Sequence, residues 1–205
     1  MIGIVDYGMG NLQSVFSAFD YLGADVTICK HAEDLSGLDR IVIPGVGAFK
    51  DCIQKLIQTG FKEALDEQVL KKGKPTLGIC LGMQVMASTG TEGGSFDGLG
   101  WFDATVIKLN PIDTLKRVPN IGWNDVKYRT DTPLFKGLPP IVDFYLVHSY
   151  YMKPNDPSCI VASYDYDHLV TAAVLKNNIF ATQFHPEKSQ DYGLKVLDNF
   201  ISWNP

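Results

Sequence analysis

The chain has 205 residues, 45% of them hydrophobic and 20% charged, and 18 basic against 23 acidic side chains leave a net charge of −5. That much apolar material supports one domain, residues 1–205, with a sizeable core, and excludes disordered and low-complexity classes. The basic residues are dispersed, so nucleic acid has no charged stripe to grip, and no apolar run approaches the roughly 18 residues of a membrane span. Met1–Asp6 lacks the basic start and long apolar middle of a signal peptide, which points to a soluble, cytoplasmic protein. Cys29, Cys52, Cys80 and Cys159 form no C-x-x-C pair, so zinc-finger and redox spacings are absent. Disulfides are not expected outside a secreted chain.

Taken in order, the first half alternates strand and helix. Gly3–Val5 is a short apolar run. Leu12, Val15, Phe16, Phe19 and Leu22 then recur at helical spacing, with Gly23 as a stop. Strands are expected at 25–29 and 40–43. Helical periodicity follows through Cys52, Ile53, Leu56 and Ile57, and again through Phe61, Leu65, Val69 and Leu70. A fourth strand at 75–79 leads into a helix over 81–87. Strands apolar on both faces and separated by helices predict an α/β fold with a mostly parallel sheet flanked by helices.

The second half changes character. Gly93, Gly94, Gly98 and Gly100 mark a loop. Closely spaced strands are expected at 105–109, 125–128, 144–147, 160–163, 170–174 and 179–183, and a final helix at about 192–203. This reads as an antiparallel extension.

Several motifs fail. Gly8-Met9-Gly10 opens like a dinucleotide fingerprint, but Gln13 stands at the third glycine position, and Gly45-Val46-Gly47 fails with Lys50 there. No phosphate-binding Gly-Lys-Ser/Thr exists. Asp165, Asp167 and His168 are more simply a solvated hairpin tip than a metal site. No metal and no cofactor is expected.

Gly78-Ile79-Cys80-Leu81-Gly82 is different. It lies where a buried strand becomes a helix, with glycine two positions either side of a nucleophilic residue, the pattern of a nucleophile elbow. Such an elbow projects the thiol from the carboxyl edge of the sheet, where the helix N-terminus favours thiolate. The Leu81 amide is then placed for an oxyanion. The plainer alternative is a structural cysteine at a tight turn. A nucleophilic cysteine needs a base and the base an orienting group. Phe184-His185-Pro186-Glu187 offers both at a strand end, so Cys80, His185 and Glu187 are read as a triad. Pro44-Gly45-Val46-Gly47 is either an oxyanion-binding turn or an ordinary strand-to-helix turn. Gln84, one helical turn beyond Cys80, faces the same way, as a ligand group or as surface.

These motifs resemble the triad-type glutamine amidotransferases, whose glutaminase domains carry a flavodoxin-like sheet. Asp6-Tyr7-Gly8-Met9-Gly10-Asn11, Gly122-Trp123-Asn124, His148-Ser149-Tyr150-Tyr151 and Gln183–Ser189 extend the resemblance to the glutaminase subunits of imidazole glycerol phosphate synthases. It spans nearly the whole chain. The resemblance implies hydrolysis of glutamine by Cys80, His185 and Glu187, with Val46 and Leu81 forming the oxyanion hole. It implies glutamine held by Gly47, Gln84, Ser149 and Tyr150. The ammonia would pass to a barrel-shaped cyclase subunit in a heterodimer serving histidine biosynthesis, with Asn120, Trp123 and Lys188 facing that partner. Asn120 departs from the family, which frequently has His there, and Ala181 stands where Gly is common. A paralogue feeding a cell-surface sugar amidotransferase is therefore one alternative. A non-catalytic scaffold and a peptide-directed cysteine hydrolase are others. The intact triad residues speak against the scaffold, and Gln84 with His-Ser-Tyr-Tyr speaks against the hydrolase.

Overall fold

The structure is a computed structural model that describes residues 1–113 and 115–205. Strand β1 (Ile2–Val5), helix α1 (Leu12–Tyr21), β2 (Val26–Cys29) and β3 (Arg40–Gly45) follow the expected order. Helices α2 (Phe49–Gln58) and α3 (Phe61–Leu65) come next, α3 running on into a π turn at Asp66–Lys71 before β4 (Thr76–Cys80).

The first departure from expectation follows β4. The helix expected over 81–87 stops after a single turn, α4 (Leu81–Gln84), and Ala87–Gly90 is strand β5. The carbonyls of Val85, Met86 and Ala87 accept from the amides of Leu99, Trp101, Phe102 and Gly100 instead of continuing a helix. A short apolar run reads the same for a buried strand as for a helix, and here sheet pairing takes the carbonyls.

The glycine-rich stretch, expected as loop, contains the two-residue β6 (Phe96–Asp97) before β7 (Phe102–Lys108). Strand β8 (Asn120–Tyr128) begins five residues ahead of the expected strand. Its solvent face carries Ile121, 62% exposed, and Trp123, 47% exposed, so apolar-in, polar-out alternation is missing where the strand starts. Strand β9 (Ile141–His148) is followed by the unexpected β10 (Tyr150–Pro154). The remainder is β11 (Ile160–Asp165), β12 (Leu169–Lys176), β13 (Ile179–Thr182) and α5 (Gln190–Ser202).

The large sheet runs β2-β1-β3-β4-β13-β12-β11-β8-β9, and a smaller one runs β10-β7-β5-β6. From β2 to β13 every pairing is parallel, and from β13 to β9 every pairing is antiparallel. The expected α/β architecture is present, with the antiparallel part as wide as the parallel part. Helices cover both faces. On one, Ile4, Val42, Leu77 and Phe180 pack against Val15 and Phe19 of α1 and Val196 and Phe200 of α5. On the other, Val5, Ile41 and Ile43 meet Phe49, Cys52 and Leu56 of α2 and Val106 of the smaller sheet. No helix among the described residues is long and apolar enough to cross a membrane.

For function the important fact is adjacency. Strands β3, β4 and β13 are neighbours, with Gly45 opposite Cys80 and Ile79 opposite Thr182. Ligands of open α/β sheets bind beyond the carboxyl ends of such strands. The chain therefore leaves the sheet side by side at 46–47, at 80–81 and at 183–187.

Candidate active site

Cys80 ends β4 and begins α4 with φ 55° and ψ −111°, a left-handed backbone for a residue with a Cβ. Such a conformation costs on the order of 1–3 kcal/mol and persists only where surrounding packing imposes it. Here Gly82 is the packing partner. A Cβ on Gly82 would lie 1.9 Å from the Ile43 carbonyl oxygen, so only glycine lets α4 pass this close to β3. The turn is thus the elbow expected from the sequence. Cys80 is 6% exposed, and its Sγ receives an N–H from Gln183 Nε2 at 3.7 Å.

His185 follows the end of β13, and Pro186–Lys188 forms one 3-10 turn that brings Glu187 back beneath the ring. His185 Nδ1 and Glu187 Oε1 are 2.8 Å apart, with the side chains 3% and 1% exposed. His185 Nε2 is buried and has no hydrogen-bond partner among the described residues. Burial lowers the His185 pKa, but the Cys80 sulfur and the Glu187 carboxylate outweigh it and push the value up to about 10. An opposite charge beside a buried imidazole favours its protonated form. The loop is pinned from the far edge of the sheet. The His185 amide donates to the Tyr145 carbonyl at 3.0 Å, and the Tyr145 amide donates to Ser189 Oγ at 3.0 Å.

A cleft of ≈ 250 Å³ joins these groups. Val46 and Gly47 line one rim and Ser149 and Tyr150 the other, with Cys80, Leu81, Gln84 and His185 between. The rim at Val46 is anchored from below. Tyr7 donates its hydroxyl to the Pro44 carbonyl at 2.6 Å and accepts from Cys52 Sγ at 3.2 Å. A Cβ on Gly45 would stand 2.8 Å from the Gly82 nitrogen and 2.8 Å from the Tyr7 hydroxyl. Val46 itself is 43% exposed. Leu81 is the first residue of α4, so its N–H has no carbonyl partner within the helix.

Gln84 is where the sequence placed it, but its amide nitrogen is occupied. Nε2 donates to the Tyr150 carbonyl at 2.7 Å and to Gln183 Oε1 at 3.0 Å, which leaves the carbonyl end for a ligand. Four lining or contacting residues have no role assigned from sequence, and one is Val147, whose carbonyl accepts from Cys80 Sγ at 3.9 Å. Gln183 is fully buried against Cys80. Glu92 lines the cleft and takes the Phe49 amide on Oε2 at 2.9 Å, capping α2. His148 lines the cleft with its pKa lowered to about 4, chiefly by burial. Only the two histidine-bearing motifs gave any sequence signal for Gln183 and His148, and Glu92 gave none.

Of the residues expected to face a partner, two are at the surface. Lys188 is exposed. Trp123 is half exposed and meets the Tyr145 ring edge-on at 6.0 Å, and Tyr145 lies 6.5 Å from the His185 ring. Asn120, the third, lies inside the chain. It is 5% exposed and donates to the Tyr164 hydroxyl at 3.2 Å, so its side chain packs against this chain's own residues. At the suspected hairpin tip Lys116 pairs with Asp167 at 2.8 Å. No cluster of metal-ligating side chains occurs among the described residues. Cys29 and Cys52 are buried, which pushes their thiols up to about 11 and about 12, while Cys159 is only partly covered.

The family model for class-I glutamine amidotransferases matches residues 3–203. The imidazole glycerol phosphate synthase subunit HisH 1 of Campylobacter jejuni strain RM1221 is 47% identical over 201 residues, covering 98% of this chain and 99% of the relative. Subunit HisH of Caldanaerobacter subterraneus is 44% identical over 200 residues, covering 98% and 97%. Among solved structures, PurLQS from Thermotoga maritima superposes with a TM-score of 0.77 at 18% identity, covering 98% of this chain and 97% of that one. That last likeness bears on the fold alone.

Proposed function

The chain belongs to the class-I glutamine amidotransferase family, and we propose that within it residues 1–205 form the glutaminase subunit of an imidazole glycerol phosphate synthase. The observation that carries the chemistry is the pairing of His185 with Glu187 on one ring nitrogen while the other, buried and unpartnered, shares a cleft with Cys80. The names of the HisH relatives support the pathway, histidine biosynthesis.

Cys80 as thiolate attacks the side-chain amide carbon of glutamine, and the carbonyl electrons move onto oxygen. The Leu81 amide and a reoriented Val46 amide receive that oxyanion. Collapse breaks the carbon–nitrogen bond, and His185 gives its proton to the departing nitrogen, which leaves as ammonia. A resting imidazole held in its protonated form, as the raised His185 value describes, already carries this proton. His185, now neutral, takes a proton from water, whose oxygen attacks the thioester. Glutamate leaves and the thiolate returns. Gly47, the Gln84 carbonyl, Ser149 and Tyr150 position the substrate. Glu92, the one carboxylate among the residues lining the cleft, suits the ammonium on the glutamine α-carbon.

Ammonia then passes to a barrel-type cyclase partner in a heterodimer, with Trp123 and Lys188 at the contact, and a cytoplasmic location accords with that role. Asn120, buried in this chain, is the departure from the family on which the sugar-pathway alternative rests. The test is kinetic. Purified alone, the chain is expected to hydrolyse glutamine about 10²–10³-fold more slowly than with its synthase partner, since one oxyanion donor is worth that much. Full turnover by the isolated chain would contradict a partner-set oxyanion hole, and turnover by Cys80→Ala would contradict the glutaminase itself.

A further inference from the structure

Five buried side chains link the start of β8 to the nucleophile without a break. Asn120 Nδ2 donates to the Tyr164 hydroxyl at 3.2 Å, and that hydroxyl lies 2.8 Å from His148 Nε2. His148 Nδ1 is 2.8 Å from the Tyr150 carbonyl oxygen, which also accepts from Gln84 Nε2. Gln84 Nε2 donates to Gln183 Oε1, and Gln183 Nε2 reaches Cys80 Sγ.

Each atom's duty follows from its neighbour's. A carbonyl only accepts, so His148 Nδ1 carries a hydrogen. Burial keeps the ring neutral, so Nε2 carries none and accepts from Tyr164. The Tyr164 oxygen is then free to accept from Asn120. At the other end, His148 and Gln84 fill both lone pairs of the Tyr150 carbonyl. The second hydrogen of Gln84 takes the Gln183 oxygen. Gln183 can present only its NH₂ end to the sulfur. A primary amide turned over by 180° would have presented oxygen lone pairs there, repelling a thiolate.

We infer that Asn120, Tyr164, His148, Gln84 and Gln183 form a hydrogen-bond network, meeting at the Tyr150 carbonyl, that holds an N–H of Gln183 against the Cys80 sulfur. It rests on Cys80 being the reacting thiol. His148 and Tyr164 are positioning residues in this scheme. Gln183 is the member that touches the reacting atom, and its N–H stabilises the thiolate at the start and end of each turnover.

Two measurements test it. Long-range ¹H–¹⁵N correlation spectra of the purified chain read the His148 tautomer directly. A neutral ring protonated on Nδ1 is expected, and a proton on Nε2 would overturn the network. The second is the rate at which iodoacetamide labels Cys80, read peptide by peptide across a range of pH. Gln183→Glu sets a carboxylate against the sulfur and is expected to slow labelling at neutral pH by roughly tenfold and move the profile to higher pH. Tyr164→Phe removes the hydroxyl that holds His148 Nε2 and loosens the ring against the Tyr150 carbonyl, which is expected to slow labelling about threefold, half a pH unit. Cys29 and Cys52 label quickly only if the fold opens. Should Gln183→Glu open it, the Tyr164→Phe profile decides alone. A Tyr164→Phe profile that superimposes on the parent, whatever happens to its melting temperature, would overturn the network. Labelling requires neither glutamine hydrolysis nor a partner. A failed network with a reactive Cys80 is therefore distinct from a failed glutaminase reading, in which Cys80→Ala would leave hydrolysis intact.

Discussion

Two buried histidines line one cleft, and burial acts on both in the same sense, yet they finish on opposite sides of neutrality. At the end of β13, His185 is held up to about 10. At the end of β9, His148 is held down to about 4. The difference lies in what the ring nitrogens meet. His185 has a carboxylate at 2.8 Å and a sulfur near its other side. His148 has a backbone carbonyl and a phenol, neither of which carries charge. A strand end and a cleft do not make a histidine a proton carrier; anionic neighbours do.

The largest test removes the chemistry that one histidine serves. Cys80→Ala and His185→Ala are each expected to lower glutamine hydrolysis, measured as glutamate release with the synthase partner present, by at least about 10³-fold. His148→Gln should leave far more activity. Equal losses at the two histidines would erase the contrast.

Glu187→Gln sharpens it by giving His185 a neutral partner like those of His148. The His185 pKa, followed by NMR titration, should fall. Activity should survive better than in Cys80→Ala by one to two orders of magnitude, because an orienting group costs less than the nucleophile.

Stability against pH separates the two by sign. For His148 the folded pKa lies below its ordinary 6.5, so the unfolded chain binds the extra proton and stability falls as pH drops from about 6.5 toward 4. For His185 the folded pKa lies above 6.5, so its contribution is whole below about 6.5 and is lost as pH rises toward 10. Denaturant melts of His148→Phe should therefore show a shallower acid limb, by up to about 1.4 kcal/mol per pH unit, with the alkaline limb unchanged. An acid limb of parental slope would contradict the lowered value.

The smallest effect lies outside the cleft. Lys188→Ala is expected to lower glutamine-dependent synthase product several-fold, leave product from added ammonium salt unchanged, and move the melting temperature by less than a few degrees. Equal losses from both nitrogen sources would remove Lys188 from the coupling.

The same contrast governs what could be read from residues alone. The parallel half is written locally. Its strands are continuous apolar runs, the elbow is five consecutive residues, and His185 and Glu187 are two apart, so their pairing needs only one turn. The network around His148 is written at long range. Gln84 and Gln183 are separated by 99 positions, and Gln84 and Tyr150 by 66. No periodicity links such positions, and a buried glutamine looks like a surface one until its partners are known. Strand β5 is illegible because its carbonyls pair with amides ten or more residues on, and the start of β8 because its open face is apolar. Burial of the Asn120 side chain is illegible for the same reason, since it depends on Tyr164.

The Tyr7 anchor under Pro44 limits how the oxyanion loop can respond to anything outside it. The Pro44 carbonyl is tethered and Gly45 sits close against Gly82 and the Tyr7 hydroxyl, so sliding or tilting β3 would break that hydrogen bond and this packing. Whatever reorients the Val46 amide must do so by crankshaft rotation about the bonds flanking the Gly45–Val46 peptide, a motion of one peptide plane. Such a rotation displaces one peptide plane and makes no demand on the core. Switching can then be quick relative to turnover, and activation would leave almost no trace in the outline of the molecule.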